Sequence, residues 1–257
     1  CTTTGNNVAV GKSALTACVD GAYNIGIGSS ALAAAVDVSA NVAIGQSALT
    51  VCTGAGNTAI GYTALASNTS AIDNVAVGVY ALTANTTGTD NVAVGARALD
   101  SNTVGYNNSA IGDNALGVNV DGSNNTALGS DALAAMVDAN NSTAIGSDAL
   151  QNATGGANTG LGQGAGNTVA LGTFNTSIGV SAGNLIEDGD YNVCVGYNTQ
   201  ISSVNVNSEI VIGHGITGGG TNTVRIGTGG GTATLGLDGT DTSWAAASDS
   251  RLKKDVT

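Results

Sequence analysis

Large rings are scarce in this chain: one Trp, one Phe and six Tyr among 257 residues, with a single Met. So few bulky groups cannot fill a conventional globular core by interlocking side chains. Proline is absent, and the 40 glycines are too few for a Gly-X-Y collagen. Charged residues make up only 9%, whereas disordered chains usually carry many more. No apolar run approaches the ~18 residues of a transmembrane helix, and no basic segment followed by an apolar one opens the sequence, so membrane insertion is not expected. Cations are few: 6 Lys and Arg stand against 18 Asp and Glu, a formal charge of -12. Arg251, Lys253 and Lys254 crowd the extreme C-terminus, which leaves Lys12, Arg97 and Arg225 for the rest. Counterion release needs clustered cations, so nucleic acid is not an expected partner. The acidic excess reads as solubility. The lone His214 excludes both a Ser-His-Asp triad and a His-rich metal site.

What the sequence does have is a repeat. Asn7-Val-Ala-Val-Gly11 returns as Asn24-Ile-Gly-Ile-Gly28, Asn41-Val-Ala-Ile-Gly45, Asn57-Thr-Ala-Ile-Gly61, Asn74-Val-Ala-Val-Gly78 and Asn91-Val-Ala-Val-Gly95, then on to Gly213. Marker glycines lie 17 residues apart, except Gly45 to Gly61 and Gly146 to Gly162, which are 16 apart. Ala14-Leu15, Ala31-Leu32 and their successors form a second landmark, which relaxes to Ala165-Gly166 and Ala182-Gly183.

Val8 and Val10 alternating with Ala9 give the period of a short strand. Gly11 supplies a bend that a side chain would obstruct. Ala14, Leu15 and Thr16 form a second expected strand, and a polar loop closes the unit. Two strands and two turns per unit describe one coil of an all-β parallel β-solenoid, its coils ~4.8 Å apart and the whole rod about 60 Å long. Helical repeats are usually ~33 residues or longer and richer in helix formers, which disfavours that architecture. The coil interior is expected to be Val and Ile facing Leu, with the alanine of each strand turned outward. A thin roll with an alanine-rich flank calls for sister chains to bury it, most simply in a cyclic oligomer.

The Asn preceding each glycine by four residues is expected to stack into a hydrogen-bonded ladder, a structural fixture. Cys1 and Cys18 fall on adjacent coils, a spacing that permits but does not require a bridge, and Cys18 and Cys52 are too far apart for one. Cys194 takes the small-residue position of Ala9. Four buried or reduced thiols, suited to assembly in a cytoplasm, are the default. Asp20/Asp37, Asp73/Asp90, Asp121/Asp138 and Asp131/Asp148 are also 17-residue pairs. Solvated loop ladders are the plain reading of these carboxylates; Ca2+ bridging at Asp20, Asp37, Asp121 and Asp138 is the alternative, and no other cofactor is expected. Gly26-Ile-Gly-Ser-Ser-Ala31 and Gly160-Leu-Gly-Gln-Gly-Ala165 match a dinucleotide fingerprint only in form, because no helix follows. The six Tyr are scattered over repeat positions, so no aromatic sugar platform is expected.

The motif Asn-Thr/Val-Ala-Ile/Val-Gly-x-x-Ala-Leu resembles the head repeats of trimeric autotransporter adhesins and similar repeats of bacteriophage tail fibres, over roughly residues 5–200. That resemblance implies a left-handed parallel β-roll assembled as a homotrimer. Ser248-Asp-Ser-Arg-Leu-Lys-Lys-Asp255-Val256 is similar to the Ser-Asp-x-Arg-Leu-Lys-x-Asp opening of the intramolecular chaperone domain that follows phage tailspikes and tail fibres. It implies a single self-cleavage with Ser248 as nucleophile and Lys253 assisting, a maturation step and not turnover of a substrate.

The expected organisation is a repeat solenoid over 1–200, a tapering neck over 201–247 and the start of the chaperone over 248–257. Trp244 is expected near the threefold axis. The expected function is a phage tail fibre, non-enzymatic apart from self-cleavage, assembled in the host cytoplasm and then carried on the virion. Its expected partners are other tail or fibre proteins and a host-surface glycan or protein. An adhesin head and a polysaccharide-degrading tailspike are the alternatives. Receptor contacts belong on the variable loops, where Tyr23, Tyr106 and Tyr191 are the candidates.

Overall fold

A computed structural model describes residues 5–237 and 245–246 of the chain. Cys1, Trp244, Ser248 and Lys253 lie outside the described residues. The chain divides into two compact units, Cys1–Ser142 and Thr143–Thr257.

The first unit carries eight three-residue strands, one per coil: β1 (Val8–Val10), β2 (Ile25–Ile27), β3 (Val42–Ile44), β4 (Thr58–Ile60), β5 (Val75–Val77), β6 (Val92–Val94), β7 (Ser109–Ile111) and β8 (Thr126–Leu128). Each pairs with the next in parallel and in register at the repeat spacing, as Val8↔Ile25 and Val75↔Val92 do. The 16-residue coil keeps that register, with Val42 opposite Thr58. The protein is therefore an all-β parallel β-solenoid of roughly 17-residue coils, and no helix occurs among the described residues.

The second unit opens the same way with β9 (Thr143–Ile145), β10 (Thr159–Leu161), β11 (Thr176–Ile178), β12 (Val193–Val195) and β13 (Ile210–His214). β14 (Thr223–Thr228) is still parallel to β13 but returns after 14 residues, with Ile210 opposite Val224. The chain then reverses, and β15 (Gly231–Gly236) and β16 (Ala245–Ala246) pair antiparallel.

Two expectations need correction. Ala-Leu is not a second strand: from Leu15 to Leu150 every leucine at this position has φ between 48° and 54°. The left-handed conformation turns the chain back, while the backbone still bonds across coils, Leu15 N–H donating to the Ala31 carbonyl at 3.0 Å. Forcing a leucine into this region costs about 1–2 kcal/mol, and burying it returns about 1.5–3 kcal/mol, so burial wins. Gly166 and Gly183 take the same place with φ of 62° and 69°, where glycine carries no such cost.

The second correction concerns which way the strands face. Ala43, Ala59, Ala76, Ala93 and Ala110 are fully buried, while the Val, Ile, Thr and Ser on either side are partly exposed. The period was read correctly and the face was not. The coil is so narrow that the inward residue meets the leucine directly: a Cβ at Gly26 would stand 3.2 Å from Leu15 Cγ. Only small side chains such as Ala, Ser177 and Cys194 fit there, with Val211 as the coil ends.

The marker glycine is required twice over. Gly11 has φ of 121°, and a Cβ on it would lie 2.8 Å from the Gly28 carbonyl of the next coil.

The asparagine ladder forms as expected, mainly through backbone. Asn91 N–H donates to Asn74 Oδ1 at 3.0 Å, and Asn108 N–H to Asn91 Oδ1 at 3.0 Å. Each amide nitrogen donates to the turn ahead, as Asn91 Nδ2 does to the Gly105 carbonyl at 2.8 Å. These side chains are completely buried, so their bonds count for more than on a surface. Glu209 takes the ladder position after Asn192 and is fully buried. Its carboxylate accepts from Ser202 N–H, Ser202 Oγ and Gly220 N–H at 2.7, 3.0 and 2.6 Å, tying two loops to the end of the coil. A second ladder runs through Asn68, Asn85, Asn102 and Asn119, with Asn119 Nδ2 donating to Asn102 Oδ1 at 2.9 Å.

Candidate functional site

Because alanine turns inward, the outer strand face carries the β-branched residues. In the first unit the last residue of each strand runs from Val10 through Ile27, Ile60 and Val77 to Leu128 as one apolar column, with Val10 56% and Leu128 45% exposed. The second unit repeats it from Ile145 and Leu161 to Ile212 and Ile226. Parallel strands normally have both faces covered, whereas here the outer apolar column stays uncovered within the single chain. The flank expected to be alanine is thus one of Val, Ile and Leu.

Tyr23, Tyr106 and Tyr191 are exposed, as loop contacts must be. The structure does not bring them together. Tyr23 and Tyr106 precede β2 and β7, five strands apart in the first unit, and Tyr191 precedes β12 in the second. Tyr191 instead stacks on Phe174, with ring centroids 5.1 Å apart and planes within 3°. Tyr197 stacks on His214 at 5.3 Å, and Tyr62 meets Tyr80 edge-on at 5.4 Å. Paired rings therefore occur where the scattered tyrosines gave no sign of any aromatic grouping. Phe174 is the residue that sequence reasoning missed, although it stands 17 before Tyr191 in the same place before a ladder Asn.

The carboxylate pairs sit in loops with ordinary partners. Asp20 N–H donates to Asp37 Oδ1 at 3.4 Å, Thr103 Oγ1 to Asp121 Oδ1 at 3.2 Å, and Asn114 Nδ2 to Asp131 Oδ1 at 2.8 Å. No group of three or more His, Cys, Asp or Glu is placed to hold a metal ion among the described residues. Each 17-residue pair offers a cation at most four carboxylate oxygens, fewer than the six to eight oxygens Ca2+ prefers.

Cys18, Cys52 and Cys194 are buried free thiols. Burial pushes the Cys52 thiol up to about 11. Burial, then the nearby negative charge of Glu209, pushes Cys194 up to about 12. Thiols held this firmly in the neutral form are poor nucleophiles and act as small core groups. Arg225 clasps the turn before β14: Nη1 donates to the Thr217 and Gly218 carbonyls at 2.7 and 2.8 Å, and Nε to Thr234 Oγ1 at 3.1 Å. It borders an open depression of about 370 Å3 with Thr217, Thr228 and Gly229–Gly231.

Compared with known proteins, the chain matches no family model and no curated protein.

Proposed function

We propose that this chain is a structural fibre protein of a phage tail, assembled as a homotrimer, that projects from the virion beside other tail proteins and mediates attachment to the host surface. The observation that carries the proposal is the apolar column on the outer face of the strands in each unit. Each rung presents a half-exposed Val, Ile or Leu, and covering one gains about 1 kcal/mol, half of the full burial of such a side chain. Three copies packed column to column about a common axis shelter every rung, and a closed ring leaves no column open. The loops then face outward with their aromatic side chains.

Free buried thiols suit assembly in the reducing host cytoplasm before release. The similarity of Ser248–Val256 to the start of an intramolecular chaperone favours the phage fibre over the adhesin head. The adhesin-head reading draws on the same repeat and the same column, and the full-length reading frame separates the two. An anchor that follows residue 257 would favour the adhesin; a chaperone domain there would favour the fibre. In that longer chain, Ser248→Ala should leave the product uncut; cleavage of this variant would remove Ser248 from the nucleophile role.

Attachment is tested by incubating the labelled chain with a panel of intact Gram-negative and Gram-positive bacterial cells. Saturable binding, competed by unlabelled protein, is expected. Labelling no stronger than that of an unrelated acidic protein would overturn the reading.

A further inference from the structure

We propose that Phe174 and Tyr191 form a stacking site for the pyranose rings of an uncharged glycan. The inference rests on the attachment function above and supplies the site and ligand class.

The residue before each ladder asparagine is left-handed throughout, with φ between 56° and 74° from Tyr23 to Ser208. The turn imposes that conformation whatever the side chain. Asn, Asp and Gly tolerate it best, and Gly56, Asp73, Asp90, Asn107, Asn124 and Asn141 follow that preference. Ala40, Ala157 and Ser208 depart from it with small side chains and Tyr23 with a large one; so do Phe174 and Tyr191, at φ of 58° and 59°. Unlike the core leucines they recover little by burial, since they are 54% and 58% exposed. Their mutual stacking returns only part of that strain. Two bulky rings held in a costly conformation and left in water are a functional feature, not a packing one.

Their geometry fits a sugar. The 5.1 Å centroid separation is close to the ~4.8 Å spacing of coils, so each ring extends from its own coil. The equivalent residue on one side is Ala157 and on the other Ser208, both too short to cover an aromatic face. Neither neighbour therefore covers the outer face of the pair, and both rings are more than half exposed. The flat C–H face of a pyranose matches such a ring, burying apolar surface while its hydroxyls stay in water or bond to nearby polar groups. Asp190 is already positioned: its Oδ1 accepts from Thr173 N–H and Oγ1 at 2.7 and 2.8 Å, which leaves Oδ2 to accept from a sugar hydroxyl.

Charge selects among ligands. Glu187, Asp188 and Asp190 surround this loop, and no Lys or Arg occurs between Thr143 and Val224. Sialylated, phosphorylated and uronic acid sugars are repelled, and so are nucleotides, whose bases would otherwise stack equally well. Neutral hexoses and N-acetylated hexosamines remain.

The full chain, applied to a panel of uncharged and acidic oligosaccharides that includes maltohexaose and chitohexaose, tests this. At least one uncharged oligomer should bind and, in saturation-transfer NMR, receive magnetisation from the protein. Phe174→Ala and Tyr191→Ala should each weaken that binding about tenfold. Tyr191→Phe and Asn107→Asp should leave it unchanged, and all four variants should keep the thermal midpoint and native mass of the parent. Binding of acidic oligomers alone, binding of no uncharged oligomer, or equal affinity in Phe174→Ala would overturn the proposal. So would a fall in native mass in either alanine variant, which would make the stack a subunit contact. If the parent and Phe174→Ala label cells equally, the attachment function survives and this site does not.

Discussion

Replacing Asn91 by Ala removes one rung of the buried amide ladder, and the cost follows from what is left unpaired. Asn108 N–H, which donates to Asn91 Oδ1 at 3.0 Å, loses its acceptor inside the coil. An orphaned buried donor costs about 1–3 kcal/mol. The Gly105 carbonyl loses the 2.8 Å bond from Asn91 Nδ2 but keeps one from Asn102 Nδ2 at 3.0 Å. That loss is the milder one, about 1 kcal/mol. Together the substitution should destabilise the protein by about 3 kcal/mol. With a urea dependence near 3 kcal/mol/M for a chain of this size, the midpoint should fall by about 1 M. Asn107→Asp is the control, because Asn107 is exposed and Asp73 and Asp90 already hold equivalent left-handed positions. It should stay within about 0.5 kcal/mol of the parent. The assay is urea unfolding followed by far-UV circular dichroism at one fixed protein concentration, since oligomers melt in a concentration-dependent way. Coils couple mainly to their neighbours, so hydrogen exchange should quicken first around Asn91 and Asn108. If Asn91→Ala unfolds at the same urea concentration as Asn107→Asp, the ladder does not hold the coils together and the reasoning fails.

Two further outcomes probe the interior. Ala93→Val pushes two methyl groups toward the leucines and should cost about 1–3 kcal/mol by overpacking. An unchanged melting temperature would mean that the alanines face outward after all. The raised thiols of Cys52 and Cys194 set a pH window. Unfolded thiols ionise from about 9.0, folded ones only near 11 and 12, so their contribution to stability is complete below pH 9.0 and is lost as pH rises toward those values. The parent should lose stability above pH 9 more steeply than a Cys52→Ala/Cys194→Ala variant, and identical pH profiles would contradict the burial argument.

Much of this architecture was legible because a solenoid writes its geometry into spacing. The marker glycines located the bends, the alternation located every short strand from Val8 to Val195, and the ladder asparagines announced their own stacking. The inward face was not legible. Val-Ala-Val has the same period whichever side is buried, and the larger residue seemed the natural core choice until the coil's width was known. The left-handed leucines were equally hidden, since nothing in leucine favours positive φ; only Gly166 and Gly183 at the same position hint at it. The second ladder was present as Asn68, Asn85, Asn102 and Asn119 at 17-residue intervals. The aromatic stack was missed for a simpler reason: tyrosines alone look scattered, and Phe174 completes the pair only when different rings are counted at one repeat position.

Native mass spectrometry of the intact chain bears most directly on the account, in which an apolar column of Val, Ile and Leu must be covered by sister chains. The expected species is three times the 24.6 kDa chain, and Val77→Lys with Val94→Lys, which put charge into that column, should shift it toward single chains. A parent protein that stays at 24.6 kDa across micromolar concentrations, soluble and fully folded, would contradict it.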